Sequence, residues 1–513
     1  MKNIVVVGGG TAGWITALYA NRIFPEHSVT LIESKEIGIL GAGEGSTPLL
    51  VELFDFLNIP VSTFIKETKT TIKNGIKFTN WSQNQEHYHH GFAIGDTNFS
   101  NSFFNNSFND FELETLPLNI INEYIKNNNV KESDLPSCLS EQNKVSFKKI
   151  NNFYPETDPI FDLSGHAGYA IHFDARLLAT KLSEIGQQRG INVIEGIVTS
   201  TETDQDGNIN KILLDNQNSI NSDFIFDCSG FARFFIGKHF KSEWQSLSEY
   251  LPMKKAIPFF LEMDESIPPY TESIAMDYGW MWKIPLQHRY GCGYVFDSNF
   301  INEEQAVEEV EKFLGHTIEQ NKVFSFEPGF FKEVWIKNCV AVGLASGFVE
   351  PLEATSLLQL TTLLKSVFLQ KNNIFDRNDF VIKEVNSRFQ KETLGIVDIL
   401  YLHYVTNKQN NDFWKNFTIN NKMPETLKEN INILNNSLLY PSRLEKTFGA
   451  NSYYKIMIGN DLLNKENMIK IFNSYRLNFF DQHFEKQNYN ARDRKNEFMS
   501  HNDFLKMLGG LND

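Results

Sequence analysis

Three groups of residues have the types and spacing to do chemistry. In Gly8-Gly9-Gly10-Thr11-Ala12-Gly13, glycines at the first, third and sixth positions would let backbone approach a pyrophosphate, and Glu33, 20 residues beyond Gly13, could accept from a ribose hydroxyl. Lys73 stands near Ile76, Phe78 and Trp81; a lysine buried against such walls has a lowered pKa and can act as a hydrogen-bond donor or a nucleophile. Taken only as a series, Lys66, Lys69, Lys73 and Lys77 recur at helical spacing and would describe a solvated face. Glu353 opens a helical pattern whose first backbone N–H groups, at Thr355 and Ser356, form a natural seat for an anion. A cluster of histidines in "EHYHHGF", residues 86–92, invites a metal reading, but ligands usually converge from several segments and the sequence shows no partner cluster, so no metal is expected.

These groups need a scaffold. Residues 3–7, "NIVVV", read as a buried parallel strand, the glycine turn leads into a helix, and residues 28–33, "SVTLIE", supply a second strand, so that one βαβ unit frames the glycines. An acid at the end of that strand disfavours a 2′-phosphate, which points to FAD or NAD rather than NADP. Residues 190–216 alternate around an Asp-Gly turn as a β-meander, and "DFIFDCSGF" and "CVAVGLASGF" read as further strands ending in small residues, where a cofactor can lie. From about residue 355 the pattern is mostly helical, with "LLQLTTLLKSVFLQ" its clearest amphipathic segment. In "GWMWKIP", strand alternation puts Trp280, Trp282 and Ile284 on one face, and Pro285 ends the ladder.

Bulk properties narrow the function. A chain of 513 residues exceeds one compact core, and a net charge of −15 argues against a nucleic-acid partner. Four scattered cysteines without a Cys-x-x-Cys pair suit a reduced cytoplasm, and no apolar run is long enough to span a bilayer. The Asn- and Phe-rich stretch at 98–111 reads as a surface loop or insertion.

In order, "GGGTAGW", "GAGEGSTP", "KNGIKFTNW", "HFDARLL", "DCSGF", "GWMWKIP" and "VGLASGFVEPLEAT" resemble the flavin-dependent halogenases of the tryptophan-halogenase superfamily, from residue 4 to about 360, with a looser match beyond. The resemblance implies an α/β fold: a Rossmann-like FAD domain of flavin-monooxygenase type, in a core spanning 1–355 with insertions at about 85–150, and a mostly helical substrate-side lobe at 356–513. It implies FADH2 from a separate reductase, O2 and a halide as co-substrates, and halogenation of a small aromatic through a flavin hydroperoxide and hypohalous acid. Lys73 and Glu353 would be catalytic, and Thr355 and Ser356 would bind halide. Trp280, Trp282, Ile284 and Pro285 would form the barrier that separates flavin from substrate.

Further FAD contacts implied by position are the strap Gly43-Glu44, Val198, Leu344 and Leu357, together with Gly8, Gly10, Thr11, Ala12, Gly13 and Glu33. His90 and Phe92 would flank the substrate ring, with Tyr453 and Tyr454 as a tyrosine pair. Where the family's amino-acid-binding acid belongs, this chain has Asn460 followed by Asp461, so a small indole or phenol is expected rather than free tryptophan. Ser356 stands where the family has glycine, which points to bromide or iodide over chloride. An aromatic monooxygenase and a non-catalytic flavin-binding protein are the alternatives. The sequence fixes no oligomeric state.

Overall fold

The computed structural model describes residues 1–36, 43–92, 120, 121, 124–126, 131, 134–148, 168–319, 322–408, 410–419, 422–437, 441, 448–474 and 495–511. The 98–111 segment lies outside them, as do parts of the 85–150 insertion.

Apolar runs with no polar alternation need cover on both faces, and they build the expected sheet. Its six strands run in the order Trp335–Ile336, Cys339–Ala341, Phe224–Asp227, Asn3–Val7, Ser28–Glu33 and Asn192–Glu195. All pairings are parallel except the edge hairpin Trp335–Ile336 with Cys339–Ala341. The meander forms a separate three-stranded antiparallel sheet, Val198–Thr203, Ile209–Leu214 and Ser219–Asn221. "CVAVGLASGF" is not one strand: the strand stops at Ala341, and a 3-10 turn, Gly343–Ala345, follows.

A second sheet has seven strands. Its order is Phe324–Ser325, Lys255–Leu261, Tyr290–Phe296, Gly279–Pro285, Tyr270–Ala275, Gly75–Thr79 and His87–Gly91. A small sheet of Glu44–Gly45, Ala170–Phe173 and Thr71–Lys73 lies against it. Lys73 therefore ends a strand, and the helical spacing of the four lysines does not describe it.

The helices beyond residue 355 do not build a core of their own. Their buried residues, among them Leu364, Ile399 and Met457, belong to the same apolar cluster as Ile4, Leu31 and Phe226. Thr355–Phe368, read as amphipathic, is buried on most of its surface because it is wedged inside this common core. The C-terminal segment also returns to the first half of the chain. Phe498–Ser500 pairs with Lys144–Lys148, and His501 Nε2 accepts from the Ile72 backbone N–H at 3.0 Å. Among the described residues, no single helix is long and apolar enough to cross a membrane.

Candidate active site

The glycine turn meets the requirements of a dinucleotide cradle. Gly8 has φ +127°, and a Cβ there would lie 2.1 Å from the Cys228 carbonyl oxygen; one on Gly13 would lie 1.8 Å from that of Gly8. Both glycines let strand and helix close on each other. Gly10 differs, because a Cβ on it would meet nothing within 4 Å. It opens the helix Thr11–Ile23 with no side-chain cap, leaving the first amides and the helix dipole to an anionic ligand. Glu33 ends its strand beside Gly9, whose added Cβ would lie 2.1 Å from the Glu33 carboxylate. The turn carrying Leu344 packs on the same helix start, with Gly343 against Ala12. Val198 opens its strand two residues after Gly196, whose N–H donates to the Glu33 carbonyl. These residues fit FAD by the room they leave and the donors they expose.

The strap Gly43-Glu44 crosses toward the second sheet. A Cβ on Gly43 would lie 3.4 Å from Gly291 and 3.8 Å from Ile284. Burial and the nearby Asp174 carboxylate push the Glu44 carboxyl up to about 7. Below the strap lies the aromatic wall. Trp280 is fully buried, and its ring centroid is 6.2 Å from that of the partly buried Trp282. Ile284 and Pro285 continue the strand. The neighbouring strand makes the room: Gly293 pairs with Trp282, and a Cβ on it would lie 2.1 Å from the indole ring.

Lys73 and Glu353 face each other electrostatically. Lys73 is fully buried, its Nζ donates to the Ser46 carbonyl at 3.0 Å, and it lies 5.5 Å from the Phe92 ring centroid. Burial lowers its pKa to about 8, against the opposing pull of the Glu353 charge. Glu353 lies in a bend of two successive left-handed residues, Glu353 at φ 63° and Ala354 at φ 56°. Such strain in two non-glycine residues is characteristic of functional sites. The bend turns the Glu353 carboxylate toward two imidazoles and starts the next helix afresh at Thr355, which is buried.

Glu353 Oε1 accepts from His90 Nδ1 at 2.6 Å and from His403 Nε2 at 3.1 Å. The far nitrogens complete the pattern: Ser452 Oγ lies 2.9 Å from His90 Nε2, and the Tyr88 hydroxyl 3.2 Å from His403 Nδ1. With each hydroxyl donating to an imidazole, both rings present N–H to the carboxylate. Burial opposes ionisation of Glu353, but His90 and the two hydrogen bonds outweigh it and hold the carboxyl far below its ordinary pKa. His403 is stacked on Phe78 at 4.3 Å, and burial keeps its pKa below the ordinary value.

The sequence reading missed His403, Ser452, Tyr88 and Glu350. A histidine inside the 26-residue helix Asp379–Tyr404 carries no local mark that separates it from a core residue. Tyr88 was findable, since strand alternation puts it on the face of His90. Glu350 is buried and accepts from the Tyr404 hydroxyl at 2.9 and 3.1 Å; burial pushes its carboxyl up to about 8.

Tyr453 and Tyr454 lie on the helix Ala450–Gly459 that also carries Ser452, and both are buried. The Tyr454 hydroxyl donates to the Leu434 carbonyl, within the helical part of the chain. Asn460 donates to the carbonyls of Leu402, His403 and Val405 and so caps the helix bearing His403. Asp461 accepts from Ser82 and from Asn407. Both residues at the position of the missing acid thus have structural partners.

A parallel sheet opening on a glycine turn, joined to a mixed sheet with an aromatic wall and a buried lysine–carboxylate pair, defines a flavin-dependent oxidoreductase. The chain belongs to the tryptophan halogenase family, whose model matches residues 3–471. It is 29% identical over 443 residues to tryptophan 6-halogenase SttH of Streptomyces toxytricini, covering 83% of each chain. It also resembles the structures of two flavin-dependent halogenases. BrvH from Brevundimonas sp. BAL3 has a TM-score of 0.82 at 25% identity, with 99% of both chains covered. Xcc4156 from Xanthomonas campestris has a TM-score of 0.80 at 27% identity, covering 99% of this chain and 98% of that one.

Proposed function

We propose that this chain halogenates an electron-rich aromatic of indole or phenol type, using FADH2 from a separate reductase, O2 and a halide, with bromide or iodide favoured over chloride. The observation that carries this reading is the buried pair Lys73 and Glu353, with Glu353 tied to His90 and His403. Gly8, Gly10, Thr11, Ala12, Gly13, Glu33, Gly43, Glu44, Val198, Leu344 and Leu357 would hold the cofactor. Reduced FAD with O2 supplies the two-electron oxidation of halide to hypohalous acid.

The chain's own groups do the rest. The Thr355 and Ser356 amides seat the halide, and Ser356 Oγ, buried and without a hydrogen-bond partner among the described residues, adds a donor. The wall Trp280–Pro285 keeps the aromatic away from the flavin, so that only the small oxidant crosses. Lys73 donates to the oxygen of hypohalous acid and leaves the halogen electrophilic toward the ring, which His90 and Phe92 flank. The halogen bonds to a ring carbon as its bond to oxygen breaks, the oxygen leaves as water with a proton from the Lys73 ammonium, and the ring proton passes to Glu353. A carboxylate held far below its ordinary pKa is a weak base, but the halogenated ring cation is a much stronger acid. The structural roles of Asn460 and Asp461 support a substrate other than free tryptophan. Four free cysteines suit a reducing cytoplasm.

The experiment is mass spectrometry of an aromatic panel incubated with enzyme, a flavin reductase, and chloride, bromide or iodide in turn. Halide-dependent mass gain is expected. Hydroxylated products without halide would establish the monooxygenase reading, and no product with reduced FAD the non-catalytic one.

A further inference from the structure

The strand His87–Gly91 has two working faces. Tyr88 and His90 point to His403 and Glu353, while His87 and His89, on the other face, both reach Glu141. Glu141 Oε1 lies 2.5 Å from His87 Nε2 and 2.7 Å from His89 Nε2. The geometry points to a divalent transition-metal site, of the zinc class, at His87 Nε2, His89 Nε2 and Glu141 Oε1, which staples this strand to the helix Leu135–Ser140.

Four observations carry the inference. The donor set, two imidazoles and one carboxylate, is a common one for zinc with a fourth position left to water. The three ligand atoms lie within 4.8 Å of one another, as three ligands about one ion must. Ligand atoms around zinc sit ~3.3 Å apart at metal–ligand distances of about 2.0 Å, so the carboxylate has to retreat by only about 0.7 Å. Glu141 can do so, because it follows the last residue of its helix and its side chain is 26% exposed. That exposure also gives an ion a way in. Finally, both imidazoles are buried and already directed at the carboxylate.

The charges around the site are themselves paired. Glu86 Oε2 is 3.9 Å from His87 Nδ1 and paired with Lys131; Lys77 is 3.8 Å from Glu272 and lies over the Tyr270 ring, which packs edge-on against His89. The helix to be stapled is already closely fitted to the strand. Pro136 packs on Gly91, and Asp134, its N-cap, pairs with Lys455, whose Nζ also donates to the Gly91 carbonyl. A metal would fasten the other end of the same strand and fix the register that presents His90 to Glu353.

The test uses tag-free full-length protein stripped with a chelator. Titration calorimetry with ZnCl2 should show one equivalent bound, CoCl2 should give the intense visible bands of four-coordinate cobalt, and a hundredfold excess of Zn2+ over its Kd should raise Tm by about 2 °C. Glu141→Gln and His89→Gln should each weaken Zn2+ binding at least tenfold. If His89→Gln does not fold, Glu141→Gln alone decides, because its side chain is partly exposed. No saturable binding at millimolar Zn2+, or parental affinity in Glu141→Gln, overturns the assignment and leaves two imidazoles donating to one carboxylate.

Discussion

Glu350 and Glu353, three residues apart and both buried, have their carboxyl pKa values shifted in opposite directions. Glu353 receives two imidazole N–H groups and stays ionised, whereas Glu350 receives only the Tyr404 hydroxyl, and burial pushes it up to about 8. Of the two, the ionised carboxylate is the one whose charge acts on Lys73.

Glutamine substitution should separate the two. Glu350→Gln replaces a mostly neutral acid and is expected to keep halogenation within about threefold. Glu353→Gln loses the charge and the base and should slow product formation by about 100-fold, with FADH2 oxidation unchanged. Parallel single-turnover assays of both variants, reading flavin absorbance and product, are the check; equal losses would remove the distinction.

Lys73→Ala should reduce halogenation to background while FADH2 oxidation continues, because the lysine acts after hypohalous acid has formed. The parent enzyme should also show a pH dependence that this variant lacks. With the ammonium as donor and its pKa at about 8, the protonated fraction falls as pH rises through 8. Product per FADH2 oxidised should therefore decline over pH 7 to 9; a rise over that range would show that the neutral amine, attacking as a nucleophile, is the working form.

Gly10→Asp is expected to abolish FAD binding without harming the fold. A Cβ there meets open space, and aspartate is a favoured N-cap, so Tm of the cofactor-free protein should hold or rise slightly. Its carboxylate would occupy the place of the pyrophosphate. Unchanged flavin affinity by fluorescence titration would refute the cradle.

Halide choice is expected to turn on Ser356. Chloride is the most strongly hydrated of the three halides, and the serine Cβ restricts backbone choices that glycine leaves open. With equal chloride and bromide, brominated product should exceed chlorinated by about tenfold, and Ser356→Gly should shift the ratio toward chloride. Predominantly chlorinated product from the parent would sink this argument.

Much of the site was legible because its parts are local. The glycine turn needs 13 residues and one following strand, and the aromatic wall needs only strand alternation. What could not be read are partners set by distant chain crossings. Glu141 lies 52 residues from His89, and His403 lies 50 from Glu353, with nothing in either local pattern to join them. What covers the helical part beyond residue 355 is unreadable for a related reason. Helical periodicity reports which face is apolar, not which core covers it, and here one core covers both parts.

The bond from Ile72 to His501 joins residues 429 apart, one position before Lys73. On a ribosome adding about 5–20 residues per second, Ile72 waits roughly 20–90 s for that partner to be synthesised. Until residue 501 emerges, the strand ending at Lys73 lacks one of its anchors. A nascent chain can thus carry a finished nucleotide turn while that strand is still unfastened. Translation order itself delays this anchor by the length of chain between the two residues.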